Sequence, residues 1–356
     1  MIHLAAFIIY KDGLKNFYIC KKYTMRSFLL TTVLCSILIG AGIQPLYAQN
    51  YKDQITVTDD NDQYVNPNHD RYYTSGDIAT YTHSVSRDKI KDSSVIKKTF
   101  EIEGGQRIYN SYTADTFDGP QKNPFVYQEW HEDRPFTAYL FGGISYNWFY
   151  KNENTLKFNA EIGTIGPMAL GENIQHGFHK LFGLYPTRGW KWQLNNAPGV
   201  NLRLDYKMFL CRTNGNWFDM AFNPDAWLGN TFTGASAGIQ LRIGELNKFF
   251  QSAMTNSRVT SDKNENIGRE FYFFTVPQIN YVGYDATIEG GLWLKDKGPV
   301  TFGIYHWVYQ QQFGLQYATR RWSVNYIAFI RTREVKSTAL GDQWASINIA
   351  YRFGKI

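Results

Sequence analysis

Apolar and polar residues alternate one for one along several stretches of about ten residues. Val200, Leu202, Leu204, Tyr206 and Met208 interleave with Asn201, Arg203, Asp205 and Lys207. Ala235, Ala237, Ile239, Leu241 and Ile243 interleave with Ser236, Gly238, Gln240 and Arg242, and Ala345, Ile347, Ile349, Tyr351 and Phe353 with Trp344, Ser346, Asn348, Ala350 and Arg352. A period of two sends successive side chains to opposite faces of a strand, so each stretch predicts a β-strand with one apolar and one polar face. Strands are predicted near 52–59, 71–85, 96–109, 137–150, 155–165, 199–210, 216–224, 232–243, 270–284, 300–313, 316–332 and 342–353. A thirteenth candidate, 286–294, is assigned to a loop, because a single-chain bacterial barrel has an even number of strands.

Alternation alone fits a soluble β-sandwich as well as a membrane barrel, and composition separates them. The 356 residues include 25 Tyr, 25 Phe and 10 Trp, an aromatic excess that suits girdles at two membrane interfaces. Beyond residue 48 no run of about 20 apolar residues could form a spanning helix, which excludes a helical inner-membrane bundle. The fold expected is an antiparallel transmembrane β-barrel of about 12 strands with a short helix in an outer loop.

The one long apolar run, Phe28 to Ile43, follows Met25-Arg26 and precedes Leu46-Tyr47-Ala48. That order is the form of a secretory signal peptide with a small residue at its cleavage site. Residues 1–48 are therefore read as an upstream extension plus signal, with Met25 as the better start and a long basic n-region from Met1 as the alternative. Residues 49–356 form the barrel domain. Cys35 follows Leu34 rather than a small residue, which argues against a lipoprotein site. Cys20 and Cys35 would leave with the signal, so Cys211 has no partner for an internal disulfide. Residues 1–48 carry five Lys or Arg and one Asp, leaving 32 basic and 30 acidic groups, a balance that gives no reason to invoke nucleic acid.

If the first strand rises from the periplasm, connections after odd-numbered strands face outward, where barrel loops are long. Those after strands one, three, five and nine are long; those after strands two, four, six and eleven are short. The connection at 244–269 breaks the rule. Polar clusters fall in the outer loops. Asp59-Asp60-Asn61-Asp62 and His69-Asp70-Arg71-Tyr72-Tyr73-Thr74-Ser75-Gly76 flank the first of them, and their oxygens suit either a hard cation such as calcium or a solvated Asn/Asp-rich turn. Gly166 to Gly183 reads as a short helix between glycines. Gln175 and His179 share one face, and Ile174, Phe178, Leu181 and Phe182 form an apolar stripe opposite, able to pack on the barrel or to touch acyl chains. His179 can serve as a general base toward water or stand as an ordinary polar side chain. There is no His-Glu-x-x-His zinc helix, Cys-x-x-Cys or phosphate-binding glycine loop. His83 and Ser84 are neighbours on a strand, point to opposite faces and make a poor catalytic pair.

At Asp60-Asn61-Asp62, Asp70-Arg71-Tyr72-Tyr73-Thr74-Ser75-Gly76, Asp133-Arg134-Pro135-Phe136, and Gly166-Pro167 through Gly171-Glu172, Gln175 and His179 to Gly189-Trp190 and Gln193-Leu194, the chain resembles the lipid A 3′-O-deacylase family of outer-membrane barrels. The resemblance spans about residues 55–205. It implies a twelve-stranded barrel acting on lipid A of lipopolysaccharide in the outer leaflet, with a site between the wall and an outer-loop helix; a monomer is expected. The implied mechanism is like that of secreted phospholipase A2. His179 matches the base that activates water, Asn61 and Asp62 match the pair at a Ca2+-dependent site, and Thr74 and Gln175 match polar residues lining it. Glu172, Asp70 and Trp190 are expected to be supporting residues. The chain departs from the family at Thr137-Ala138-Tyr139 and through 110–132; Lys122 there either faces a glucosamine phosphate or is a solvated loop lysine. The competing readings are an outer-membrane phospholipase and a passive porin or adhesin.

Overall fold

A computed structural model describes residues 49–66, 69–114, 132–183 and 187–356. The expected signal segment and Lys122 lie outside the described residues. Twelve antiparallel strands close into a barrel: β1 (Tyr51–Asn61), β2 (His69–Ser84), β3 (Val95–Ala114), β4 (Thr137–Tyr150), β5 (Thr155–Ile165), β6 (Ala197–Arg212), β7 (Phe218–Gly229), β8 (Phe232–Glu245), β9 (Glu270–Asp285), β10 (Trp307–Ala318), β11 (Trp322–Arg331) and β12 (Asp342–Lys355). Each pairs with its sequence neighbours, and β1 closes on β12 from Tyr51↔Lys355 to Asn61↔Ala345. Closure leaves no unpaired edge, as a wall in hydrocarbon requires. Segment 286–294 is a connection, as expected, though it contains a one-turn helix, α2 (Ala286–Glu289); the outer-loop helix, α1, spans Gly171–Phe182.

Strands β10 and β11 depart from expectation. The apolar alternation at Val300, Phe302 and Ile304 belongs to the connection after β9, where Ile304 bridges Val335 and packs with Tyr72 and Ile288 at the rim. The predicted break near residue 314 is strand interior: the ring of Phe274 lies over Gly314 where a Cβ would stand, and the reversal comes at Thr319–Arg321. A period of two tells an alternating segment from a polar one. It does not tell a ladder strand from an extended segment laid across a rim.

Alternation sorts the side chains as predicted. Val200, Leu202, Leu204, Ile243, Ile144 and Ile162 are exposed on the outer face. The inward face is polar and paired: Lys157 Nζ donates to Glu101 Oε2 at 2.7 Å, Lys207 Nζ to Gln240 Oε1 at 2.6 Å, Arg242 Nη2 to Asp219 Oδ2 at 2.6 Å, and Arg203 holds Asp225. Within the barrel a cavity of about 890 Å³ remains.

The long connection after β8 ends this cavity below. Residues 246–269 turn inward instead of hanging free, with Phe249, Ser252, Ser257 and Val259 buried. Lys97 Nζ donates to Ser257 O at 2.7 Å, Asn256 Nδ2 to Glu101 Oε1 at 3.2 Å, and Arg258 Nη2 to Thr319 O at 3.0 Å. Thr260 N–H reaches Tyr51 O at 2.8 Å, so the loop is tied to β1, β3 and the β10–β11 turn, on several sides of the lower mouth.

Candidate active site

The site lies on the outer surface of the wall. Along β3 the lumen-facing residues are Glu103, Arg107 and Tyr109, so Gln106, Ile108 and Asn110 face outward. They are nevertheless buried, because the described stretches of the connection after β5, 166–183 and 187–194, fold back over β3 and β4. Ile108, Phe136, Ala138, Ala169 and Trp190 form a small apolar core beneath it, and Gln106 Nε2 donates to Ala169 O. Two glycines permit this covering. Gly166 has φ +87°, with Asn195 backbone 2.8 Å from the Cβ position; Gly189 has φ +123°, with the Phe136 ring 2.2 Å from its own. Either backbone conformation strains any other residue.

Helix α1 is amphipathic in the inverted sense. Gly171, Gln175 and His179 are buried against the wall, while Ile174, Phe178 and Leu181 are exposed. Gly171 sits where a Cβ would meet Ala138 Cβ and the Trp190 ring, so the helix starts in close contact with β4. Gly183, at φ +64°, ends it in a left-handed cap.

Strand β2 presents the partner residues through irregularities in its pairing with β3. Register shifts occur between Asp70 and Tyr72 and between Tyr73 and Ser75. Each changes which side chains face out. Thr74, passed over at the second shift, is buried, while Tyr73 turns inward to donate its hydroxyl to Asp60 Oδ2 at 2.6 Å.

Asp70 is the hub. Its carboxylate accepts from Thr74 Oγ1 at Oδ1 and from Gln175 Nε2 at Oδ2, 3.2 Å away, and His179 Nε2 lies 3.4 Å from Oδ2. Trp190 Nε1 donates to Gln175 Oε1 at 2.8 Å, which turns the Gln175 amide nitrogen toward Asp70. Asn110 Nδ2 lies 3.4 Å from Asp70 O. Asp70, Thr74, Gln175, His179 and Trp190 are each at most 5% exposed.

Asp62 sits beside this cluster in a 3-10 turn (Asp62–Tyr64) that follows β1, where Asn61 Oδ1 accepts from Gln63 N–H at 2.8 Å. Asp62 Oδ2 accepts from Arg71 N–H at 2.7 Å, whereas the buried Oδ1 has no hydrogen-bond partner among the described residues. Burial, and next the neighbouring Asp70 carboxylate, hold the Asp62 carboxyl well above its ordinary pKa; Asp342 adds to this. A bound cation would offset both effects. Among the described residues no three His, Cys, Asp or Glu side chains converge on a metal position. The unpartnered Asp62 Oδ1 fits a cation, and carboxylate, amide, backbone and water oxygens are all ligands that calcium accepts.

Of the five residues singled out in the sequence, Thr74, Gln175 and His179 meet at Asp70, and Asp62 lies beside it. Asn61 instead caps its own turn, although its amide oxygen keeps a second lone pair. Sequence reasoning placed Asp70 among supporting residues and passed over Asn110 and Asp342. His83, bonded through Nδ1 to Asp53 Oδ1 at 2.7 Å, takes no part.

The family model of the outer membrane protein LpxR matches residues 30–353. The chain belongs to the LpxR family of outer-membrane proteins. Among solved structures, LpxR from Salmonella typhimurium is 20% identical at a TM-score of 0.63, covering 84% of this chain and 100% of that one, and so shares the fold. The β domain of the Bordetella autotransporter BrkA (8% identity, TM-score 0.41, covering 85% and 100%) and the KdgM porin in complex with disordered oligogalacturonate (7%, 0.33, 84% and 99%) are more distant barrels. No curated protein matches the chain. Family membership places this LpxR-type barrel in the outer membrane, with α1 and the Asp70 cluster on the outer side of its wall.

Proposed function

We propose that this protein is a lipid A deacylase, hydrolysing the ester that holds the 3′-position acyl or acyloxyacyl chain of lipopolysaccharide. The observation that supports it best is the buried His179–Asp70 pair at the wall's outer surface, in a chain of the LpxR family. Lipid substrates lie on that side of the wall, whereas a channel would place its working residues in the lumen.

His179 Nε2–H faces Asp70 Oδ2 and donates a hydrogen bond to it, fixing the tautomer that leaves the lone pair on Nδ1. A water held at Nδ1 loses its proton to the imidazole as its oxygen attacks the ester carbonyl. The imidazolium then returns that proton to the departing sugar oxygen as the acyl bond breaks, releasing a fatty acid. Asp70 stabilises the imidazolium between these steps, and Thr74 and Gln175 hold Asp70 in place. A calcium ion bound through Asp62, with the adjoining Asn61 amide oxygen as a second ligand, would supply positive charge opposite the developing oxyanion.

The test is mass spectrometry of lipid A from cells expressing the intact protein or His179→Ala, with and without a calcium chelator. Loss of one acyl or acyloxyacyl group only with intact protein and available cation is expected. Unchanged lipid A with a correctly inserted barrel overturns the reading.

A further inference from the structure

Below α1, the outward-facing side chains of β4 run Ala138, Leu140, Ile144 and Tyr146. The first is fully buried under the loop and the others are exposed, Leu140 at 38% and Ile144 at 48%. The lipid-facing band therefore begins at the lower edge of the helix, with no polar step between them on this strand. On the adjoining strands Ile162 and Val200, paired across β5 and β6, continue it at 67% and 56% exposure. The outer face of the helix and its entry carries Met168, Leu170, Ile174, Phe178 and Leu181, exposed by 44% to 78%. The helix turns Gln175 and His179 to the protein and this apolar stripe outward, with Asn173 and Lys180 exposed beside it; such an exposed apolar stripe is costly in water and favourable at a membrane boundary.

We infer that this face of α1 is seated among the acyl chains of the outer leaflet and forms the lipid-side wall of the entrance to the His179 site. An acyl ester would then reach the site sideways from the bilayer rather than from the water above. The seating rests on the continuity of the apolar surface; the entrance rests also on the hydrolase reading.

The two parts separate experimentally. Spin labels are placed one at a time by Phe178→Cys, Leu181→Cys, Lys180→Cys and Ile162→Cys, with Cys20, Cys35 and Cys211 changed to serine and the protein in lipid bilayers. Labels at positions 178 and 181 are expected to meet dissolved oxygen in preference to a water-soluble nickel chelate, as at the wall position 162 and unlike position 180. Equal access of the chelate to 178, 181 and 180 would overturn the seating, whatever the chemistry. For the entrance, Phe178→Asp and Leu181→Asp should each raise KM for bilayer lipid A about tenfold or more, from lost apolar burial, and leave hydrolysis of a short-chain water-soluble ester unchanged. An equal fall on both substrates would make these positions structural and overturn the entrance. If the unaltered protein cleaves neither substrate, the hydrolase reading and the entrance built on it fail, while the labelling result still decides the seating.

Discussion

Asp70 shows how much one carboxylate can organise once it is buried. A buried carboxylate needs several hydrogen-bond donors, and Thr74, Gln175 and His179 supply them from a strand and a helix about a hundred residues apart. Asp70→Asn cannot accept from Gln175 and His179 in the same way. We expect it to lower deacylation about a thousandfold, the scale of a lost general base, with the barrel still folded by its heat-dependent shift in gel mobility. Asp62 makes a prediction about pH. Its folded pKa lies above that of the unfolded chain, so the native state binds the extra proton and metal-free stability falls as pH rises from the ordinary carboxylate range through the raised value. Asp62→Asn cannot ionise. With calcium chelated it should melt above the unaltered protein at pH 8 and alongside it near pH 4, as measured by scanning calorimetry in detergent; a lower melting point at pH 8 would show that the carboxylate is relieved within the protein itself. Thr74, Gln175 and His179 were legible as a set because they stand in ordered blocks. Asp70 stood in the same blocks, but its role depends on the register shifts that turn it toward the helix, and residue type does not announce those.

At the scale of the element, the covering loop depends on backbone permission as much as on side chains. Gly189 holds a φ that strains other residues, and a Cβ there would enter the Phe136 ring, which meets Trp190 edge-on at 5.4 Å between centroids. Gly189→Ala should therefore loosen Trp190, release Gln175 and cost about 1–3 kcal/mol locally. Faster trypsin cleavage after Arg188 or Lys191 in the detergent-folded protein would report it, and cleavage at the unaltered rate would not fit. Helix α1 was readable from its glycine borders and apolar spacing. The face it buries was not: amphipathic spacing says that two faces differ, and only the surroundings say whether water, protein or lipid lies against each.

For the whole molecule, the loop at 246–269 carries a consequence for permeability. Its ties to Lys97, Glu101, Tyr51 and Thr319 place it across the lower mouth, beneath an ion-paired lumen. The intact protein in a planar bilayer should show no steady conductance, and removing residues 249–258 should produce open events; steady conductance of the intact barrel would mean that the loop leaves a path. By composition the segment could as well have hung in the periplasm, and its inward course follows from polar partners on strands far apart in sequence. The strand count, the lipid and lumen faces and the outer-loop helix were determined by the sequence alone, because alternation and helical spacing are local patterns that water and hydrocarbon read residue by residue. The true limits of β10 and β11, the inward loop and the meeting of Asp70 with His179 were decided only in the tertiary structure, since each depends on which distant groups satisfy a buried polar atom or fill the space over a ring.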